Sequence, residues 1–460
     1  MYTIKKYLHQ LTIPFTCFTI WLWSFPMYGP LLTQIDMSTS VVFMLFLLSH
    51  AVGLLFYGFI VEYLSRSKDI DHNKELKLIL LISVLLSFLT IIFPLLSQRF
   101  IIPVILLIGF FSGSLVVFYL YHISISIMDG RRGRILGFIF FLAGTILIPF
   151  LLIPYGSWMY VINGLLLMSP FLLLRDGLTR SKDMISNKNL SDVDTSYWLS
   201  LIFLVILFYI GGGLMYNLLY AELLTNKKVF FDIGFLFYPL IVLPVGIIAD
   251  KKGRRLLINI GLFFSGLGFL LLLIFDYFNS LPMILLQSSF AVMDLFIFLV
   301  LMDWTDYFKS RLFIGTGLFL NVIIIFISGL PFLGGRISDI VPINLWPAVG
   351  LISILLIIPL LNFIKETYLI RQSKDILTKE NDNLDSFCKQ HSISPREKEV
   401  ILFLLEGKDT GTITELMSIS YNTLKTHLRN IYRKTDTGSQ SELILSIWRN
   451  TRNIDIHNNN

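Results

Sequence analysis

Charge is what this 460-residue chain most lacks. Only 15% of its residues are Asp, Glu, Lys or Arg, against roughly 25% in ordinary soluble domains. Cysteine is scarce as well. Cys17 stands in an apolar stretch and Cys388 in a polar one, which excludes a disulfide framework and the paired spacing of a zinc site. No nucleotide loop, metal cluster, phosphoacceptor constellation or catalytic triad is visible. No enzymatic activity, metal or cofactor is therefore expected. No small-residue cleavage site follows Lys5 and Lys6, so the first apolar run reads as a membrane helix rather than a signal peptide.

Apolar residues fill the gap left by charge: 55% of the chain is hydrophobic, with 40 Phe. A helix needs roughly 20 mostly apolar residues to cross a bilayer. Such runs fall near 11–31, 41–64, 76–97, 101–124, 135–154 and 156–174, and again near 197–220, 230–249, 256–275, 281–302, 313–333 and 345–364. That makes about twelve spans, six on each side of the polar segment Arg175–Ser196. With the N-terminus inside, the inner segments carry 19 Lys and Arg and the outer loops 4. Positive charge accumulates on the cytoplasmic side, so both termini are expected there, in a multi-pass protein of a bacterial cytoplasmic (inner) membrane.

The expected architecture is all-α. A polytopic helix bundle occupies 1–364, as two pseudo-repeated halves of about 1–174 and 197–364. A linker follows over 365–391, then a small four-helix domain over 392–452 and a disordered tail over 453–460.

In that last domain, Ser394 is a good N-cap, Pro395 suits the first helical position and Glu397 completes a capping box. Val400, Ile401, Phe403, Leu404 and Leu405 supply an apolar side, and Gly407 ends the helix. A short helix in "TITELMSIS" offers Ile413, Leu416, Met417 and Ile419 to a core. The next helix, in "SYNTLKTHLRNIYRKTD", is capped by Ser420 or Asn422. At about 100° per residue, Leu424, Leu428 and Ile431 form one stripe, while Lys425, Thr426, Arg429 and Arg433 share the opposite face. Its acids are missing altogether between Tyr421 and Lys434. A short helix, a tight turn and a helix with a cationic face is the layout of helix-turn-helix DNA binding. His427 falls away from that face and reads as a packing or phosphate-edge residue.

Ser394, Arg396, Glu397, Glu399, Val400, Gly407, Thr423, Leu424, Lys425, His427, Leu428, Ile431, Tyr432, Lys434, Ser439 and Glu442 follow the pattern of the LuxR-type regulators, which the segment resembles. The resemblance implies a four-helix domain that binds double-stranded DNA as a homodimer. It places the base-facing positions on Lys425, Thr426 and Arg429, with Thr423, Arg433 and Lys434 completing the DNA-binding set. Gly411, Thr412 and Thr435 depart from the family pattern and leave the second helix less well defined.

In the bundle, "GIIADKKGRR" (Gly246, Asp250, Gly253, Arg254 and Arg255) resembles the signature loop of the major facilitator superfamily. "GFIVEYLSRS" is its degraded counterpart in the first half, retaining Gly58 and Glu62, and "RRGRILG" echoes "KSRLFIG". Ionisable residues within spans are functional candidates. Asp294 and His50 are the candidate ligand or proton sites, with interhelical hydrogen bonding as the alternative. The expected function is a membrane-integrated, one-component bacterial transcription regulator whose bundle senses an unknown small molecule or the state of the membrane. The rival readings are a secondary transporter with an attached regulatory domain, and a bundle that serves only as an anchor.

Overall fold

Of the 460 residues, the computed structural model describes 2–27, 31–32, 39–66, 72–127, 129–152, 156–174, 202–210, 234–274, 280–329, 348–352, 354–357, 381–405, 408, 410–440, 442–444 and 446–447. The central loop 175–196, the linker to residue 380, Gly407, the side chain of Arg255 and the tail 453–460 lie outside this set. The described residues form helices joined by turns, in two units.

The first unit is the bundle. Its helices are α1 (Tyr2–Ser24), α2 (Thr39–Arg66), α3 (His72–Ile92), α4 (Gln98–Ser126), α5 (Asp129–Leu152), α6 (Ser157–Leu166), α7 (Ser169–Leu174), α8 (Gly234–Lys252), α9 (Arg255–Ile274), α10 (Ser280–Phe308) and α11 (Leu312–Gly329). Residues 202–210 and 348–357 add helical segments. Hydrocarbon offers backbone groups no water, so every spanning segment must close its own hydrogen bonds. Among the described residues, six helical stretches are long and apolar enough to cross a membrane: Val41–Ser65, Asn73–Leu95, Gln98–Ser126, Ser157–Leu174, Leu256–Ile274 and Leu281–Phe308. Helices also occupy the other six positions at which the sequence places a span.

The halves pack in a pairwise pattern. The second span, α2, lies against α11, which opens the fifth span of the second half. Its counterpart α8 lies against α5, the fifth span of the first half. Each contact is closed by the same device. Glu62 Oε2 accepts the N–H of Arg311 (3.0 Å) at the start of α11. The Asp250 carboxylate accepts the N–H groups of Gly133 (2.8 Å) and Arg134 (2.9 Å) near the start of α5. An acid there satisfies orphan donors and faces the positive end of the helix dipole. Gly246 and Gly133 make the α5–α8 approach possible. A Cβ on Gly246 would sit 2.2 Å from the Gly133 carbonyl oxygen, so no larger residue fits without separating the helices. Gly253, at φ +87°, turns the chain out of α8.

The second unit contains α12 (Asn381–Gln390), α13 (Pro395–Leu405), α14 (Thr410–Met417) and α15 (Tyr421–Thr435), followed by helical turns within 440–447. Its core joins Leu384, Phe387 and Cys388 to Val400, Ile401, Leu404, Ile413, Leu424, Ile431 and Leu443. Residues 381–391, which the sequence assigns to a linker, thus contribute a helix that buries apolar residues in this core.

Candidate functional site

The C-terminal unit builds its interface from caps upward. Ser394 N–H donates to Glu397 Oε2 (2.7 Å), and Glu397 N–H donates to Ser394 Oγ (3.3 Å), forming the reciprocal capping box. Ser420 caps α15 by accepting the Thr423 N–H (3.1 Å). Asp436, in the left-handed region at φ 52°, ends that helix. The chain enters α15 through Ser418, also left-handed at φ 53°. The turn between α14 and α15 is therefore tight and stereochemically fixed.

Leu424 and Ile431 are buried, and Leu428 packs against the same core. That fixes the rotation of α15 and leaves Thr423, Lys425, Thr426, Arg429 and Arg433 exposed. Thr426 Oγ1 donates back to the Asn422 carbonyl (3.0 Å), and Arg433 reaches Asn430 Oδ1 (3.4 Å). Lys425 and Arg429 make no ion pair with any described residue. Lys434 behaves differently. Its Nζ donates to Glu397 Oε2 (2.6 Å) and to the Ser392 carbonyl (2.9 Å), tying the end of α15 to the start of α13. Burial pushes the Glu397 carboxyl up, but the hydrogen bond from Lys434, the Ser394 contacts and the Lys434 charge together hold it below the usual carboxylate range. Lys434 is thus already engaged within the domain.

The unusual residues of the domain are accommodated. Thr435 is buried and donates Oγ1 to the Ile431 carbonyl (2.9 Å), so its hydroxyl is satisfied in an apolar site. Gly411 and Thr412 lie within α14. Leu416, expected in the core, is 55% exposed, because Ile413 and Met417 fill the inward side of this short helix.

The bundle concentrates its charge in two networks. In one, Glu75 is bound by Arg311 (Nη2–Oε2 2.7 Å) and accepts from the Tyr57 hydroxyl (3.1 Å). His122 approaches the same carboxylate at 3.6 Å, and the Arg311 guanidinium lies 3.8 Å from the centre of the Tyr121 ring. In the other, Arg132 holds Asp303 (2.7 Å) and Asp306, and Arg254 also binds Asp303 (Nε–Oδ2 3.0 Å). Arg254 stands 3.6 Å from Asp250 as well, so it links the end of α8 to α10.

The two intramembrane candidates occupy different settings. His50 Nδ1 meets Ser112 Oγ at 2.7 Å between α2 and α4, with the Phe46 ring 5.3 Å away. This is a buried interhelical hydrogen bond. Asp294, on α10, accepts from the hydroxyls of Tyr209 and of Tyr238 (2.9 Å for the latter), bringing three helices together. Glu75, Tyr238 and Phe298 were not singled out by the sequence. Glu75 reads locally as a solvated charge in "HNKELKL", and its arginine partner is 236 residues away.

Residues 391–447 match the family described as bacterial regulatory proteins, luxR family. Over 56 residues the chain is 36% identical to the monoamine regulon transcriptional regulator of Klebsiella aerogenes, covering 12% of this chain and 25% of that protein. It is 39% identical over 59 residues to the putative HTH-type transcriptional regulator y4qH of Sinorhizobium fredii (strain NBRC 101917 / NGR234), covering 13% and 18%. It is 30% identical over 80 residues to the regulatory protein SdiA of Escherichia coli (strain K12), covering 17% and 33%. The matched segment therefore spans no more than about a third of these relatives' length. Among solved structures, the chain is similar to a bacterial homologue of the iron transporter ferroportin in an outward-facing state, with TM-score 0.56 and 11% identity over 79% of this chain and 99% of that one. It is also similar to the human organic anion transporter MFSD10, with TM-score 0.53 and 14% identity over 77% and 98%. At such identities the likeness concerns the fold. The chain joins a C-terminal domain that matches the luxR family of bacterial regulatory proteins to a helical bundle that shares the fold of these two transporters.

Proposed function

We propose that this protein is a membrane-integrated, one-component bacterial transcription regulator, in which the bundle receives a signal and the C-terminal domain reads DNA. The observation that carries the reading is the exposed face of α15. Lys425, Thr426 and Arg429 stand together on a capped helix whose rotation is fixed by a buried stripe. Arg and Lys side chains so placed hydrogen-bond guanine O6 and N7 in the major groove, and Arg433 at the edge neutralises phosphate. The domain works as a homodimer, and confinement to a bilayer raises the effective concentration of paired domains. The distribution of 19 inner against 4 outer basic residues supports a cytoplasmic-membrane protein with both termini on the side of the chromosome. The bundle influences DNA binding only if a ligand favours one of its conformations over another.

Chromatin immunoprecipitation of the full chain tests this reading. Discrete enriched sites are expected, lost together in Lys425→Ala and Arg429→Ala while the protein stays in the membrane fraction. Equal enrichment in the variants would contradict it.

The Asp294 site favours a second reading, a working secondary transporter that also regulates. Uptake of a substrate into proteoliposomes would establish that activity.

A further inference from the structure

Asp294 differs from four other acids of the bundle. Glu75 binds Arg311, Asp250 faces Arg134 and Arg254, Asp303 binds Arg132 and Arg254, and Asp306 binds Arg132 and Lys309. Asp294 receives hydrogen bonds from two phenols, and no lysine, arginine or histidine among the described residues pairs with it. Phenol donors orient a carboxylate without neutralising it, and an uncompensated charge in a low-dielectric site calls for a counter-charge.

The surroundings indicate what kind. Of residues 286–302 of α10, only Asp294 and Phe298, one turn apart, are not buried. The same face of α10 meets aromatic rings from the first half. Phe298 lies 5.4 Å from Phe140, Phe140 lies 5.8 Å from Trp23, and Trp23 meets Tyr238 edge-on at 5.6 Å. Tyr238 returns to the carboxylate through its hydroxyl. Trp23 and Tyr238 are also only partly covered. The result is a carboxylate beside an aromatic wall that both halves build. Aromatic faces attract cations, most strongly when water is excluded. A bare metal ion fits poorly, since no group of three metal-ligating side chains occurs among the described residues.

We propose that Asp294, Tyr238, Trp23 and Phe298 form a binding site for a small organic cation, an amine or quaternary ammonium. The ligand's charge sits at Asp294 and its alkyl groups lie against the rings. Because the rings come from α1 and α5 on one side and from α8 and α10 on the other, the cation bridges the two halves. It is thereby suited to favour one arrangement of the bundle over another. As a regulatory signal, this rests on the sensory reading given above.

Equilibrium dialysis of the full chain in detergent, with tetramethyl- to tetrabutylammonium as probes at constant ionic strength, tests the site. Saturable binding of at least one member is expected. Asp294→Asn, which keeps the shape but removes the charge and leaves an oxygen acceptor for only one of the two phenols, should weaken it roughly 30-fold or more. Trp23→Leu should weaken it roughly 3–10-fold, and Trp23→Phe less. Melting temperature without ligand identifies any variant that fails to fold, and Asp294→Glu should then retain part of the affinity. No saturable binding across the series, or equal binding by Asp294→Asn, overturns the site. Footprinting on an operator in parallel separates the two claims. Binding that leaves operator occupancy unchanged keeps the cation site and contradicts the sensory reading.

Discussion

The cations of the two units are placed in opposite ways. In the bundle, Arg132, Arg254 and Arg311 each reach a carboxylate, and Arg132 and Arg311 are buried. On α15, Lys425 and Arg429 point away from their domain and pair with no described residue. A buried charge must be compensated internally, because desolvation is costly. A solvated charge needs no partner, and a row of them on one helix face is available to an external polyanion. Charges compensated within the fold belong to its architecture, and those left to solvent are free for recognition. Residue type does not separate them; partners do. Lys434 shows this most clearly, since it lies on α15 beside the exposed cations yet is engaged as the bundle's arginines are.

The largest effect is expected within the bundle. Arg311→Met leaves Glu75 buried without its cation, an imbalance that costs about 3–5 kcal/mol. The purified full chain should show a large fall in melting temperature, with Arg311→Met/Glu75→Gln recovering part of it. No fall would mean that the network is not structural. Lys434→Ala should act as a smaller version of the same loss, about 1.5 kcal/mol, seen as reduced hydrogen-exchange protection of α13 and α15. Its pH dependence has a defined sign. The folded Glu397 carboxyl is held below its ordinary value, so its contribution is present above the unfolded value and lost as pH falls through the folded one. In Lys434→Ala that acid-side loss should shrink.

On the exposed face, Arg433→Ala should weaken binding to all DNA sequences alike and lower the salt slope by about 1, without altering exchange protection. The smallest effect concerns the turn. Ser418 occupies the left-handed region, which glycine tolerates without strain. Ser418→Gly should stabilise the domain by about 0.5–1 kcal/mol, read by the same exchange measurement.

Much of this was legible from local pattern. The capping box of Ser394 and Glu397, the Ser420 cap and the opposed faces of α15 follow from spacings of a few residues. Apolar runs located the spans for the same reason. Legibility ended where partners are distant. Leu384 and Phe387 look like scattered apolar residues in a polar tether, and only the three-dimensional core shows why they are there. Leu416 has core-like periodicity, but α14 is too short to bury both sides of its stripe. Asp294 stood out as a lone acid in a span. The aromatic residues around it come from separate helices and carry no shared local signal.

The most direct test of the central claim is a footprint titration of the full chain, reconstituted in nanodiscs, on one of its own genomic sites. Wild type and the variants Lys425→Ala and Arg429→Ala would be compared, with melting temperature recorded on the same preparations. Each variant should lose about 1–3 kcal/mol of binding at the specific site at unchanged melting temperature. Undiminished protection by both variants would show that the unpaired cations of α15 do not read DNA.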